Sequence, residues 1–187
     1  MQIILASQSP RRKDLLSLMG ISFTVEVRNV DESVPDGTDP VTAVRHLAEK
    51  KARAFLGDEG DALVITADTI VTIDGRILGK PRDAGHATEM LTLLSGRPHE
   101  VITAVALLRH GVIEVFHDVT EVHFRTLSAD EIAHYIQQYR PFDKAGAYGI
   151  QEWVGMVAIE KIVGSYTNVV GLPTARLSEK LHSLSGY

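Results

Sequence analysis

The chain has 187 residues, of which 44% are hydrophobic and 23% charged, a balance typical of one globular domain or of one domain with two lobes. It contains no cysteine, which excludes disulfides, thiol catalysis and cysteine-based zinc sites and leaves carboxylates or histidines to hold any metal. The formal net charge of -5 argues against a general nucleic-acid binder, and no apolar run approaches the ~20 residues of a membrane span. We therefore expect a cytoplasmic protein that binds neither nucleic acid nor membrane.

The first predicted elements are a strand from residue 4 and a helix that follows it directly. Ser9 is a favourable N-cap, and Pro10 suits the first helical position. Arg11 and Arg12 then occupy the first turn, where the helix dipole is already positive, so two guanidinium groups are unfavourable there unless an anion is present. With the Ser7 hydroxyl and free backbone N–H groups they could form a phosphate or carboxylate site. The alternative is that both arginines reach water or pair with acids elsewhere in the fold.

An acidic loop separates the second predicted strand from the second helix. Residues 22–30 alternate as a strand does, and residues 30–40 are rich in acids and turn formers. Asp39 and Pro40 then open a helix that we expect to end at Gly57.

Two hairpins are predicted in the middle of the chain. Residues 62–78 form a buried strand followed by a hairpin, whose Asp-Gly turn at 74–75 is a strong signal for a primed turn. Residues 100–127 form two long strands joined by a His-Gly turn at 110–111.

Helices alternate with these strands. One covers about 84–95, and Ser128 with Glu131 forms a capping box that opens another, to about Tyr139. The last part is predicted to hold a loop at 140–151, a strand pair turning at 164–165 and a final helix from Pro173. This order of elements predicts an α/β fold with a mixed sheet.

Acidic side chains in two places are candidates for catalysis or metal binding. Asp68 follows a buried apolar run, so it is either tied into a turn or placed at the mouth of a cleft. Thr69 beside it could cap a turn or bond a ligand. Glu32 follows Asp31 in the acidic loop, where such a pair either keeps the loop solvated or coordinates a hard divalent cation that takes its other ligands from substrate phosphates.

Two lysines and an amide complete the candidates. Lys51 lies near the end of the second helix, where a cation also suits the dipole. Lys80, held between Gly79 and Pro81, could be aimed at a phosphate, although the spacing of a P-loop is missing. Gln151 closes a glycine-containing loop that could recognise a nucleobase by hydrogen bonds or could be a tight turn before a strand.

Six ordered motifs, spread over essentially the whole chain, resemble the Maf family of nucleoside triphosphate pyrophosphatases. They are "LASQSPRR" at 5–12, "ADTIV" at 67–71, "GKP" at 79–81, "LSGRPHEVITAV" at 94–105, "DKAGAYGIQ" at 143–151 and "VVGLP" at 169–173. The resemblance implies a single domain over 1–187 with a Maf/Ham1-like fold similar to that of the inosine-triphosphate pyrophosphatases: an elongated mixed β-sheet with flanking helices and two lobes around a central cleft.

The resemblance also implies roles for individual residues. Asp68 matches the catalytic base of the "ADT" motif. Residues associated with nucleotide preference are Arg11, Thr69 and Gln151. Residues that would bind phosphate are Ser7, Arg12, Lys51 and Lys80. Glu32 and Asp68 would hold a divalent cation, Mg²⁺ or Mn²⁺, and "ADT" with "AYGIQ" is similar to the branch that hydrolyses dTTP and UTP to a nucleoside monophosphate and pyrophosphate. A homodimer is expected from the same resemblance.

One departure and two alternatives accompany this interpretation. After Gln151 the chain has "EWVG", where small, glycine-rich residues are expected, so Trp153 could alter a rim contact or a dimer surface. Some members of the family are linked to septum formation, so a nucleotide-binding regulator of cell division without significant turnover is one alternative. A broad enzyme that clears modified nucleotides is another, with the same chemistry and a different substrate ranking.

Overall fold

The computed structural model describes residues 2–35 and 37–185, apart from the side chain of Ser185. The strands within this part are β1 (Ile3–Leu5), β2 (Thr24–Val25), β3 (Leu63–Ile73), β4 (Arg76–Leu78), β5 (Pro98–Arg109), β6 (Val112–Phe124) and β7 (Ile159–Val163). The helices are α1 (Pro10–Leu18), α2 (Pro40–Arg53), α3 (Ala84–Leu94), α4 (Ala129–Tyr139), α5 (Trp153–Val157), α6 (Tyr166–Val170) and α7 (Thr174–Ser185), with a single 3-10 turn at Ala145–Ala147. None of these helices combines the length and the apolar character that crossing a membrane requires.

The described strands form one mixed sheet in the order β2-β1-β3-β5-β6-β7, with β4 paired to β3. β1 runs parallel to both β2 and β3, whereas β3 with β4 and β6 with β7 are antiparallel. This confirms the predicted α/β class and its mixed sheet.

Residues Met1–Thr69, Thr103–Asp118 and Gly171–Tyr187 form one compact unit. Its second helix begins where predicted, because the Asp39 carboxylate accepts a hydrogen bond from Thr42 N at 2.9 Å and Pro40 occupies the first turn. The helix buries an apolar face of Ala43, Val44, Leu47, Ala48 and Ala52, and its last turn carries Lys50, Lys51 and Arg53.

Residues Ile70–Ile102 and Val119–Val170 form a second compact unit. The capping box of α4 is present as predicted: the Ser128 side chain accepts from Glu131 N, and the Glu131 carboxylate accepts from Ser128 N. The core of this unit packs α3 and α4 against the sheet and includes Leu91, Leu94, Phe124, Ile132, Tyr135 and Tyr148.

Both predicted hairpin turns are confirmed. The backbone of Asp74 and Gly75 has φ of 51° and 73°, and that of His110 and Gly111 has 50° and 74°. Positive φ at both central residues is the requirement of the primed turn, and glycine meets it without strain.

The structure corrects three of the expected elements. The strand at 22–30 is reduced to Thr24–Val25, which is exposed and pairs with β1. The second helix ends at Arg53 instead of Gly57. After residue 151 the first strand of the expected pair is present as β7, preceded by α5, but it pairs with the distant β6, and α6 stands where the second strand was expected.

Candidate active site

A lysine and two carboxylates meet in the first unit. Lys51 Nζ lies 2.5 Å from Asp68 Oδ1 and 2.9 Å from Glu32 Oε1. The side chains of Lys51 and Asp68 are only 16% and 13% exposed, whereas that of Glu32 is 52% exposed. One ammonium therefore balances one of the two negative charges, and the cluster keeps a net charge of about -1.

The position of Asp68 differs from the sequence expectation. It lies within β3, which continues to Ile73, and not at the end of the strand. Thr66 is two residues earlier and so shares its face of the strand, and Thr66 Oγ1 donates to Ala48 O of α2 at 2.7 Å. Ala48 is one helical turn before Lys51. This buried hydrogen bond therefore holds α2 against β3 next to the contact between Lys51 and Asp68.

Arg12 joins three other parts of the same unit. Its Nε donates to Gly171 O at 2.8 Å, one Nη donates to Ser7 Oγ at 3.3 Å, and the other donates to Thr69 Oγ1 at 2.9 Å. Thr69 Oγ1 also lies 3.0 Å from Thr103 Oγ1. The guanidinium thus connects the start of α1 with the middle of β3 through hydrogen bonds of fixed geometry.

The electrostatics of Arg12 relate it to the lysine and carboxylate cluster. Burial lowers the pKa of Arg12 from its ordinary value and the charge of Arg11 lowers it further, while Asp68 and Glu32 raise it. An arginine stays protonated at neutral pH even so. These contacts explain why Arg12 is tolerated in the first turn of α1: protein oxygens accept its hydrogen bonds, and nearby carboxylates offset its charge.

Lys80 and Gln151 belong to the second unit, and both are exposed. The loops that carry them are joined, since Gly146 N donates to Gly79 O at 3.1 Å. Gly146 has φ of 68°, and a Cβ there would lie within 3.0 Å of the Val71 side chain, so the turn requires glycine for two reasons. The remaining candidates, Ser7, Arg11, Arg12, Glu32, Lys51, Asp68 and Thr69, lie in the first unit.

Sequence reasoning missed three residues that organise the first unit's candidates: Thr66, Thr103 and Gly171. Thr103 and Gly171 lie inside the quoted motifs, but the motif gives no partner for them. Gly171 has φ of 124°, a conformation that residues with a side chain rarely adopt, and its carbonyl accepts the hydrogen bond from Arg12 Nε. Thr66 carries no local signal, because its hydrogen bond spans two elements.

The donor set fits a divalent cation bound in part by substrate. Glu32 and Asp68 converge on one cationic group, Lys51 Nζ, so two carboxylate oxygens already face a positive charge. Among the described residues no group of three or more His, Cys, Asp or Glu side chains is suited to hold a metal. Two carboxylates suit Mg²⁺ or Mn²⁺, which keep water and phosphate oxygens as their other ligands.

The model of the family described as Maf-like protein matches residues 2–184. The chain is 49% identical to a protein named dTTP/UTP pyrophosphatase from Bacillus velezensis, covering 96% of this chain and 95% of that one. It is 48% identical to one of the same name from Phocaeicola vulgatus, covering 98% and 96%. The solved structure of the Staphylococcus aureus Ham1 protein shares 14% identity over 66% of this chain and 72% of that chain, with a TM-score of 0.47, too low to support a conclusion. The chain belongs to the Maf family.

Proposed function

We propose that this protein hydrolyses dTTP and UTP to the nucleoside monophosphate and pyrophosphate. Relatives of nearly equal length and 45–49% identity carry the name dTTP/UTP pyrophosphatase, which supports the substrates. The observation that carries the chemistry is the partly buried carboxylate of Asp68 held by Lys51 next to Glu32. A fixed carboxylate beside cationic groups suits an attack on a polyphosphate.

Asp68 acts as the general base in this proposal. Lys51 contacts Oδ1, so we assign the proton of the attacking water to Oδ2. The water oxygen forms a bond to the α-phosphorus, the bond from that phosphorus to the bridging oxygen breaks, and pyrophosphate leaves. Lys51, Arg11, Arg12 and Lys80 would offset the negative charge of the triphosphate, with Ser7 as a further donor.

A divalent cation, Mg²⁺ or Mn²⁺, is part of the proposal and would be held by Glu32 and Asp68. When bound, it supplies positive charge to the phosphate oxygens and orients them. Asp68 then has two duties, as ligand and as base, and these compete for the same lone pairs. A homodimer and a cytoplasmic location are further parts of the proposal, carried by the family resemblance.

Base selection is assigned to Gln151, Thr69 and Arg11. Uracil and thymine share an N3–H donor beside an O4 acceptor, and one amide such as Gln151 can pair with both groups. Cytosine has an amino donor at position 4, so a fixed amide donor would face another donor. A site that hydrogen-bonds its substrate rejects such an analogue strongly. We therefore expect slow hydrolysis of dCTP and of purine triphosphates.

The alternative of a nucleotide-binding regulator of cell division without turnover is not favoured. The relatives are named for catalysis, and every residue proposed here for hydrolysis is present in this chain. An enzyme that clears modified pyrimidine nucleotides would use the same site and would differ only in its ranking of substrates.

The test is product analysis with dTTP, UTP, dCTP, CTP, dGTP and 7-methyl-GTP, each with Mg²⁺, with Mn²⁺ and with a chelator. We expect pyrophosphate and the monophosphate from dTTP and UTP, metal dependence, and a loss of at least about 10³-fold in Asp68→Asn. Asp61→Asn, an exposed aspartate of the same unit, is the matched control.

The outcomes separate the alternatives. Release of inorganic phosphate and a diphosphate would contradict attack at the α-phosphorus. Equal rates on all six nucleotides would contradict the pyrimidine preference. Tight binding without turnover under every metal condition would favour the regulator.

A further inference from the structure

The hydroxyl of Tyr135 makes hydrogen bonds with a residue before Gln151 in the chain, Gly149, and with one after it, Glu152. Tyr135 is a fully buried residue of α4, with 0% of its surface exposed. Its hydroxyl donates to Glu152 Oε2 and accepts from Gly149 N at 3.1 Å. The hydroxyl therefore both donates a hydrogen bond and accepts one. It ties the chain before and after Gln151 to the same point of the core.

Gln151 is a central residue of a closed turn. Glu152 N donates to Gly149 O at 3.0 Å, which places Ile150 and Gln151 at the two middle positions. Glu152 Oε1 also lies 2.9 Å from Lys144 Nζ, whose side chain is only 10% exposed. The Glu152 side chain therefore closes the turn from its end, with one oxygen on Tyr135 and the other on Lys144.

The packing of the turn leaves little room for movement. A Cβ on Gly149 would approach both Glu152 Cδ and Lys144 Cε to 3.0 Å. A Cβ on Gly155 would lie 1.8 Å from Ile150 O, so the helix that follows is pressed against the turn. Residues 146–150 are all buried, and Gln151 is the first exposed residue after them. The backbone of the turn is closely packed, while Gln151 itself is exposed.

Burial also determines which group donates in the hydrogen bond between Tyr135 and Glu152. It raises the pKa of Tyr135, and the hydrogen bond to Glu152 raises it further, so the phenol keeps its proton at any physiological pH. The phenol therefore donates, and the Glu152 carboxylate accepts. Glu152 thus supplies the acceptor for Tyr135 and the partner for Lys144.

We propose that Tyr135 and Glu152, with Lys144, are positioning residues that hold the Gln151 turn in one conformation and so set the discrimination between nucleobases with a carbonyl and those with an amino group at position 4. The inference rests on the proposed function, because it assigns these residues to base selection by Gln151. A primary amide presents a donor and an acceptor, and a rotation of about 180° exchanges them. A fixed turn favours one orientation, while a loose turn would allow both and so accept cytosine as well as uracil.

The first arm of the test measures kcat/KM for dTTP and dCTP in wild type, Tyr135→Phe and Glu152→Ala. The ratio of the two constants does not change with the fraction of folded enzyme, so a merely structural defect leaves it unaltered. We expect the preference for dTTP to fall about tenfold in both variants, mainly through faster dCTP turnover.

Glu152→Gln is the conservative variant. It keeps an oxygen acceptor for Tyr135 but loses the charge opposite Lys144, so we expect it to restore most of the preference. Asp74→Asn is the matched control, because it removes the carboxylate of an ion pair of the same unit, 2.7 Å from Arg97, and asparagine tolerates the positive φ at that turn. Its ratio should equal that of wild type.

The second arm needs no activity. Gly149 N–H exchange is measured by NMR in wild type and in Tyr135→Phe, and the fluorescence of Trp153, the only tryptophan in the chain, is recorded in both. Trp153 stacks against the Tyr135 ring with ring centroids 6.5 Å apart, so its fluorescence shows whether the ring keeps its place when the hydroxyl is removed. We expect about tenfold faster exchange at Gly149 once the hydroxyl acceptor is lost.

The two arms of the test distinguish a failure of this inference from a failure of the proposed function. Absence of dTTP hydrolysis in wild type would overturn the proposed function and with it the role in base selection, whatever the exchange rates. Normal dTTP hydrolysis with faster exchange in Tyr135→Phe and an unchanged ratio would overturn the inference alone. Unchanged exchange at Gly149 would overturn it as well, because the turn would then be held by other contacts.

Discussion

Lys51, on the last turn of α2, holds the carboxylate of Asp68 in the middle of β3, with Nζ 2.5 Å from Oδ1. The same ammonium reaches Glu32 Oε1 at 2.9 Å. One lysine thus orients the proposed base and shields it from the repulsion of a second carboxylate. Removing that lysine leaves two negative charges near one another in a partly buried place, which is unfavourable.

Lys51→Met should therefore lower kcat/KM for dTTP by about 10²-fold, because both the orientation of Asp68 and a charge opposite the triphosphate are lost. The measurement is steady-state pyrophosphate release. Lys50→Met is the control: Lys50 precedes Lys51 on the helix but pairs with the exposed Asp31 at 3.4 Å, and an exposed pair contributes little. Equal losses in the two variants would contradict a specific role for Lys51.

Glu32→Gln should raise the Mg²⁺ concentration needed for half-maximal rate by about tenfold, since one of two proposed carboxylate ligands becomes a neutral amide. The maximal rate at saturating Mg²⁺ should fall less than the rate at low Mg²⁺. The measurement is a metal titration at fixed dTTP, with Asp31→Asn beside it, because Asp31 accepts from Ser33 and Lys50 instead of Lys51. A metal dependence identical to that of wild type would remove Glu32 from the cation site.

Elements with local signals were predictable from sequence. The capping box of Ser128 and Glu131 indicated the start of α4, and the turns at 74–75 and 110–111 indicated both hairpins. In each case the residues that determine the structure are within a few positions of one another, so the sequence alone contains the interaction.

Contacts between distant parts of the chain were not predictable. β7 lies where a strand was expected, just before 164–165, but its partner is β6, and no residue within 159–163 indicates that partner. Asp68 and Thr69 were identified as candidates, but the bond from Thr66 to Ala48 and those from Arg12 to Ser7 and Thr69 connect elements far apart in the chain. A motif can mark such residues without giving the geometry that joins them.

Gly171→Ala tests whether the backbone conformation at Gly171 requires glycine. At φ of 124° the variant is strained even though its Cβ would meet Thr69 Oγ1 and Arg12 Nε only at 3.5 and 3.7 Å. We expect a loss of about 1–3 kcal/mol in the free energy of unfolding, measured by urea denaturation. Gly79→Ala, where φ is not positive and a Cβ would meet nothing within 4 Å, should change stability by less than about 0.5 kcal/mol. A loss at Gly79 as large as that at Gly171 would contradict the argument from backbone strain.

The buried His99 predicts a specific pH dependence of stability. It is 3% exposed, its Nε2 lies 2.8 Å from Tyr148 OH, and its ring packs edge-on against Phe124. Burial lowers the pKa of His99 from 6.5 to about 4, with a smaller contribution from the charge of His123. The folded state therefore takes up this proton only at lower pH than the unfolded state does.

The direction of the pH dependence follows from that difference in pKa. Above pH 6.5 the histidine is neutral in both states and contributes no pH dependence to stability. Between pH 6.5 and about 4 the unfolded state binds a proton that the folded state does not bind, so stability falls as the pH falls. The full effect is about 3 kcal/mol, reached near the folded pKa.

His99→Gln keeps a polar atom near Tyr148 but cannot titrate, so its free energy of unfolding should decline less than that of wild type over this pH range. Urea denaturation at pH 7.5, 6.0 and 4.5 measures the difference, and His46→Asn, an exposed histidine, controls for the loss of one imidazole. Parallel curves for wild type and His99→Gln would show that His99 is protonated as readily in the folded protein as in the unfolded chain.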